Sequence, residues 1–148
     1  MELIIIFSAE YLGYILLAVF LILFLKNRRK DFLIIPLFSA LLSRFIFTEI
    51  IRFFYFRPRP FVAKMITPLI DHAPTASFPS GHAAFFFALS AGIYSFNKKA
   101  GLWFFGASFI IGFSRVFSGL HYPTDVLGGL ALGIFSFWLV RFFSKRFI

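Results

Sequence analysis

The chain has 148 residues, 60% hydrophobic and 14% charged, with a mean hydropathy of +0.89 and a formal net charge of +9. A soluble domain carries about a quarter charged residues, so the composition excludes an ordinary globular protein and places one domain, residues 1–148, in a membrane. Cysteine is absent, which removes disulfide frameworks and thiolate metal sites; the basic residues stand mostly beside apolar runs, where they mark orientation and not a nucleic-acid surface.

Leu3 to Leu25 is a nearly unbroken apolar run, long enough to span. Met1-Glu2 precede it and the cluster Lys26-Asn27-Arg28-Arg29-Lys30 follows it, so it reads as a retained span and not a signal peptide. Phe32 to Phe54 is a second span, interrupted by Ser39, Ser43, Arg44, Thr48, Glu49 and Arg52. Ionisable groups at membrane depth are costly and face a protein interior or a polar cavity. This helix is therefore expected at the centre of the bundle, with Arg44 paired to Glu10 or Glu49. Tyr55 to Ser80 carries Pro58, Pro60, Pro68, Pro74 and Pro79, which argues against a continuous helix; Val62 to Ile70 reads as a short interfacial segment. Ser80 is a natural N-cap for a third span, Ser80 to Phe96, with small residues at Ala84, Ala88, Ala91 and Gly92. Gly101 to Phe117 is the fourth span. Pro123 to about Phe143 is the fifth, and Gly129 and Gly133 give it a face suited to close helix contact. The expected fold is an all-α polytopic bundle of about five transmembrane helices.

Sidedness follows from the basic residues. The Lys26–Asp31 loop, the Lys98-Lys99 turn and the C-terminal tail with Arg141, Lys145 and Arg146 share one side. The positive-inside rule makes that side cytoplasmic and puts the polar connections outside, in a plasma-membrane protein.

Three polar islands stand on that outer face. Arg52 and Arg59 lie at the end of the second span and just past it, where two guanidinium groups at fixed separation can clamp phosphate oxygens or simply hold lipid headgroups. Ser80, Gly81 and His82 sit at a helix N-terminus, an anion site in waiting, or an ordinary capped start with an interfacial His. The third island is Ser114-Arg115-x5-His121-x3-Asp125. If Pro123 opens a helix, Asp125 lies about one turn beyond His121 and can hold one ring nitrogen while the other stays aimed and basic. The bland alternative is a polar loop with a helix cap. Together the islands describe a phosphoryl-transfer site. Asp71 and His72 could complete a metal site with His82 or His121, but their spacing fits no ligand pattern and hard metals prefer more carboxylates; no metal and no cofactor is expected.

Arg52-x6-Arg59-Pro60, Pro79-Ser80-Gly81-His82 and Ser114-Arg115-x5-His121-x3-Asp125 resemble, in order and spacing, the three signature motifs of the type 2 phosphatidic acid phosphatase superfamily. The resemblance covers roughly residues 44 to 130. Arg52 stands where that family more often has Lys, and members commonly have six spans. The resemblance implies that His121 is the nucleophile that becomes a phosphohistidine, Asp125 orients it, and His82 protonates the leaving oxygen. It also implies that Arg52, Arg59, Arg115, Ser80 and the Gly81 amide hold the phosphoryl oxygens. Arg57-Pro58-Arg59-Pro60-Phe61 and Ala76-Ser77-Phe78-Pro79-Ser80 are similar to the bacterial undecaprenyl pyrophosphate phosphatases, many of which have Asp where this chain has Gly81. The implied partners are a lipid phosphate substrate and membrane lipids. The alternatives are a phosphatidylglycerophosphate or phosphatidate phosphatase and, from another class, a small channel or transporter.

Overall fold

A computed structural model of the protein describes residues 1–147, with side chains through residue 144. The elements are α1 (Glu2–Glu10), α2 (Leu12–Asn27), α3 (Lys30–Leu41), a π-helical segment (Leu42–Phe47), α4 (Thr48–Phe54), α5 (Pro60–Ala63), α6 (Gly81–Phe96), α7 (Lys98–Phe117) and α8 (Pro123–Phe147), with no strand among the described residues. Lys30–Phe54, Lys98–Phe117 and Pro123–Ser144 are each long and apolar enough to cross a membrane, α1 and α2 form a bent pair, and α6 is a shorter apolar helix. The outward faces carry Phe38, Phe45, Ile50, Trp103, Ile110 and Trp138, all exposed. That is the inverse of a soluble fold and what lipid solvates.

The centre of the bundle is α6, not the second span as the charges of that span suggested. It packs against α3, α7 and α8 and buries Ala83, Ala84, Phe87, Ala88, Leu89, Ala91 and Gly92. Small side chains decide this: with lipid on the outside there is little hydrophobic gain in helix association, and close backbone approach supplies the contact energy. On α8 the Gly129/Gly133 face meets that stripe. A Cβ at Gly133 would stand 2.8 Å from the Ala84 carbonyl oxygen and 2.8 Å from the Ala88 nitrogen. The charges of the second span gather instead towards its α4 end, where they line a cleft.

The first span is broken where the sequence showed a continuous run. A 43° bend separates α1 from α2 at Tyr11. In an unbroken helix the Ala9 carbonyl would accept from the Gly13 amide; here it accepts from Arg115 Nη1 at 2.9 Å. The bend thus hands a backbone acceptor to a buried cation. The Val62 to Ile70 stretch, expected as a short interfacial segment, is helical only at its start. Helix ends at Ala63, Met65 adopts positive φ, and Pro68 prevents resumption. The segment folds back, with Phe61 N donating to Gly119 O and Leu69 N to Ser118 O. Ile70 packs with Ala9 and Leu120.

At the opposite end, the Arg29 and Arg141 guanidinium carbons each lie 5.8 Å from the centroid of the Phe96 ring. Two cations against one aromatic ring bring the basic start of α3 and the Arg141 stretch of α8 to the end of α6. The tail side chains Lys145 and Arg146, counted with this side from sequence, lie outside the described residues.

Gly133→Val should lower the detergent melting temperature by several degrees, through about 1–3 kcal/mol of overpacking. Gly106→Ala, where a Cβ meets nothing within 4 Å, should be neutral or slightly stabilising. Differential scanning fluorimetry on the two variants checks the pair.

Candidate active site

Helix α6 begins where Ser80 caps it: the Ser80 hydroxyl accepts from the Ala83 amide at 3.4 Å, and the Ser80 amide donates to the Asp125 carbonyl oxygen at 2.9 Å. The starts of α6 and α8 are thereby locked side by side. The loop ahead of α8 is held by Arg115, whose carbonyl accepts from the Leu120 and His121 amides. These two junctions bring the second and third islands together, although more than thirty residues separate them in sequence.

Arg59 brings in the first island. It is 2% exposed, and all five N–H donors of a guanidinium have an acceptor. Nε donates to Thr75 O (3.1 Å), Nη2 to Thr75 Oγ1 (3.1 Å) and Ala76 O (3.3 Å), and Nη1 to Leu120 O (3.1 Å) and His121 Nε2 (3.2 Å). Burial is the main cause that lowers its pKa, to about 10, with the Arg52 and Arg115 cations adding to it; at neutral pH it stays charged.

That last contact sets the tautomer of His121. With Arg59 donating into Nε2, the ring proton sits on Nδ1, which faces Asp125 Oδ2 at 3.4 Å. The approach is long for a hydrogen bond, and Nδ1 makes none of good geometry with the described residues. Asp125 is 0% exposed. Its Oδ1 accepts from Arg57 Nη1 at 2.9 Å and its Oδ2 from the Tyr122 amide at 2.8 Å. Arg57 also donates to Thr124 Oγ1 at 2.7 Å and lies 4.0 Å above the Tyr122 ring. The carboxylate is therefore fixed by groups other than the histidine, and the histidine is aligned to it.

Arg52 Nη2 donates to Pro79 O at 3.0 Å, which ties α4 to the turn before α6. Arg52 Nη1 reaches Glu49 Oε1 at 3.3 Å, and Arg44 Nη1 reaches the same oxygen at 2.6 Å. Of the two partners expected for Arg44, the structure shows Glu49. A cleft of about 640 Å³ is lined by Arg44, Arg52, Arg59, Gly81, His82 and His121, with Glu49 and His72 at its wall. His82 also lines a cavity on the α1–α2 side with Glu10 and Arg44, and a third with Glu10 and Arg115. Arg52 Nε, Arg115 Nε and His121 Nδ1 are buried without a partner among the described residues. Unsatisfied buried donors are costly; Arg52 lines the cleft and Arg115 an adjoining cavity, whereas His121 Nδ1 faces Asp125. Asp71 and His72 form no metal-holding group with the histidines among the described residues.

Every site residue expected from sequence lies at this end of the bundle. Arg59 and Ser80 are also spent on structure, the one on carbonyls and the other on a cap. Sequence reasoning missed Arg57 on Asp125, Thr75 under Arg59, and the place of Arg44 in the cleft. Only Arg57 left a signal, as the neighbour of Arg59 in a four-residue Arg-Pro repeat.

Residues 32–148 match the family model of the PAP2 superfamily, and the chain belongs to that superfamily. It is 44% identical over 101 residues to undecaprenyl-diphosphatase BcrC of Bacillus subtilis, covering 67% of this chain and 51% of the relative. It is 33% identical over 138 residues to bacitracin transport permease protein BcrC of Bacillus licheniformis, covering 89% of this chain and 68% of that relative. The match to the Bacillus subtilis protein thus spans about half of that protein's length. The crystal structure of Aquifex aeolicus LpxE superimposes with a TM-score of 0.75 at 27% identity, covering 94% of this chain and 84% of that one. The all-helical membrane architecture is common to both.

Burial is the main cause holding the pKa of His121 down at about 4; the Arg59 and Arg115 cations push the same way and Asp125 opposes them. His121 should stay neutral on ¹⁵N NMR down to about pH 5, where a free imidazole with a midpoint near 6.5 would be charged. Between those two values the unfolded chain binds the extra proton. The stability this group contributes is thus complete above about pH 6.5 and lost as pH falls towards 4. A midpoint at 6.5 would contradict the buried placement.

Proposed function

We propose that this protein is a membrane lipid phosphatase that hydrolyses a polyprenyl diphosphate, undecaprenyl pyrophosphate first, to the monophosphate and inorganic phosphate. The observation that carries the reading is a buried His121, its Nε2 held by Arg59, on a cleft lined also by Arg44, Arg52 and His82. Membership of the PAP2 superfamily and the name of the Bacillus subtilis relative support it.

In this mechanism, Nε2 of His121 attacks the terminal phosphorus. The N–P bond forms as the bond to the leaving oxygen breaks, and His82 gives that oxygen its proton. Asp125, anchored by Arg57 and the Tyr122 amide, stabilises the imidazolium. Arg59 passes its Nη1 donor from Nε2 to the phosphoryl group; Arg52, Arg115, Ser80 and the Gly81 amide take the remaining oxygens as charge spreads over them. In the second step water attacks the phosphohistidine, His82 takes its proton, and inorganic phosphate leaves with Nε2 restored. No step calls for a metal ion.

The charges argue for an enzyme over a conduit. A conduit needs polar groups along its depth, whereas Arg44, Glu49, Arg52, Arg57, Arg59, His82, Arg115, His121 and Asp125 lie at one end. The core beyond them is Leu16, Phe20, Phe32, Leu89, Ile93 and Phe104. The basic ends at Arg29 and Arg141 lie away from the cleft. With five spans and those ends in the cytoplasm, the cleft opens outside, at headgroup level of the outer leaflet, where a polyprenyl diphosphate released by polymer assembly is presented.

Purified protein should release phosphate from undecaprenyl pyrophosphate in the presence of chelator. Its labelled intermediate should be acid-labile and base-stable, and His121→Ala should lose both label and turnover, by about 10³-fold or more in rate. Turnover of phosphatidylglycerophosphate or phosphatidate alone would keep the mechanism and discard the substrate. Phosphate release undiminished in His121→Ala would discard the mechanism.

A reporter active only outside the cytoplasm should work when fused after Lys64 and be silent after Lys99. The opposite pattern would reverse the orientation.

A further inference from the structure

The mechanism leaves two charged groups of the cleft unused, Arg44 and its partner Glu49. Arg44 sits in the π-helical segment, and its position depends on that irregularity. Residues five apart on an α-helix stand about 140° apart around the axis. The wider turn, with Thr48 Oγ1 bonded to Ser43 O at 2.9 Å, brings Arg44 and Glu49 to one face. The Arg44 guanidinium then lies against the start of α6: a Cβ on Gly81 would stand 2.6 Å from Arg44 Nε and 3.0 Å from its Cζ. Glycine at this position is what lets the cation reach the helix N-terminus beside His82. Arg44 lines both the cleft that holds His121 and the adjoining cavity that holds Glu10, and its guanidinium carbon lies 5.2 Å from the Phe45 ring centroid. One oxygen of Glu49 is shared between Arg44 at 2.6 Å and Arg52 at 3.3 Å. Carboxylate and phosphate oxygens are interchangeable partners for a guanidinium, so Glu49 marks a position between the two arginines where an anion is held.

From this we infer that Arg44 binds the second phosphate group of a lipid diphosphate, the one that departs with the lipid, and competes for it against Glu49. The inference rests on the diphosphatase reading and adds a specificity residue to it. The chemistry assigns the side. His121 and His82 stand on opposite sides of the reacting phosphorus in that reading, so the leaving group lies with His82, and Arg44 is the cation next to His82 across Gly81. When an alcohol leaves, its oxygen needs the proton of His82. When a phosphate leaves, the negative charge is spread over a group that is already stable as an anion, and a fixed cation beside it does more than a proton. Arg44 therefore selects for diphosphates, and His82 matters most for monoesters.

The experiment compares wild type, R44Q, R44K and H82Q in detergent on a polyprenyl diphosphate and on the monophosphate with the same tail. R44Q should lose about 10- to 100-fold in kcat/KM on the diphosphate, the scale of one charge-assisted hydrogen bond, and within about threefold on the monophosphate. R44K should fall between wild type and R44Q on the diphosphate, and H82Q should show the opposite bias. Equal losses on both substrates in a folded R44Q, or no loss, would overturn the inference. If R44Q does not fold, an unchanged substrate ratio in R44K would overturn it instead. A second arm uses inorganic pyrophosphate and orthophosphate as inhibitors of whichever lipid phosphate the protein turns over. R44Q should weaken inhibition by pyrophosphate and leave that by orthophosphate. This arm separates the two readings. Selective loss in a protein that turns over only lipid monophosphates keeps the Arg44 site and discards the diphosphatase; a diphosphatase whose R44Q form is inhibited like wild type keeps the activity and discards the site.

Discussion

A single buried guanidinium joins the parts of the site. Arg59 lies in a proline-rich connection that has little regular structure, yet its five donors reach Thr75, Ala76, Leu120 and His121. A charge taken out of water is expensive unless it is completely partnered. That cost works as a constraint here, because no arrangement of the two loops that breaks one of these contacts is cheap. The connection is ordered without a helix of its own because the arginine organises it from within. The same side chain reaches Nε2 of His121, so the order of the loops and the tautomer of that histidine depend on one group.

The second constraint lies below the site. Bringing four chain segments to one small cleft requires helices whose ends converge, and in lipid that requires backbones that approach closely. Gly129 and Gly133 on α8 and the alanine stripe on α6 provide it. The amide of Ser80 can then bond the carbonyl of Asp125 across the junction. Two irregularities fall where the site uses them. The bend at Tyr11 frees a carbonyl for Arg115, and the π turn points Arg44 at Gly81.

Electrostatics within the cleft follow one logic. Cations outnumber carboxylates, and each carboxylate is claimed: Asp125 by Arg57 and the Tyr122 amide, Glu49 by Arg44 and Arg52. The excess positive charge, with several buried donors unpaired, is a standing attraction for phosphate. It also keeps His121 unprotonated, since an imidazolium among arginines is disfavoured twice, by burial and by like charge. The histidine that we propose as nucleophile is thereby kept neutral by burial and by the cations around it.

Much of this was legible in the residues themselves. Composition alone determined a membrane protein, because a chain this poor in charge has no other solvent. The Pro and Gly positions and the caps placed α6, α7 and α8, since backbone chemistry at helix ends is local. The three motifs named His82, His121, Asp125, Arg52, Arg59 and Arg115, because residue type and spacing within one turn are also local. What the sequence could not reveal depended on distances between segments far apart in the chain. That Arg57 holds Asp125, that α6 and not the charged second span fills the centre, that Arg59 is a cross-link between loops, and that Arg44 lies against Gly81 were decided only by packing. Small residues let particular backbones touch, and buried charges then accepted only the partners that this contact brought within reach.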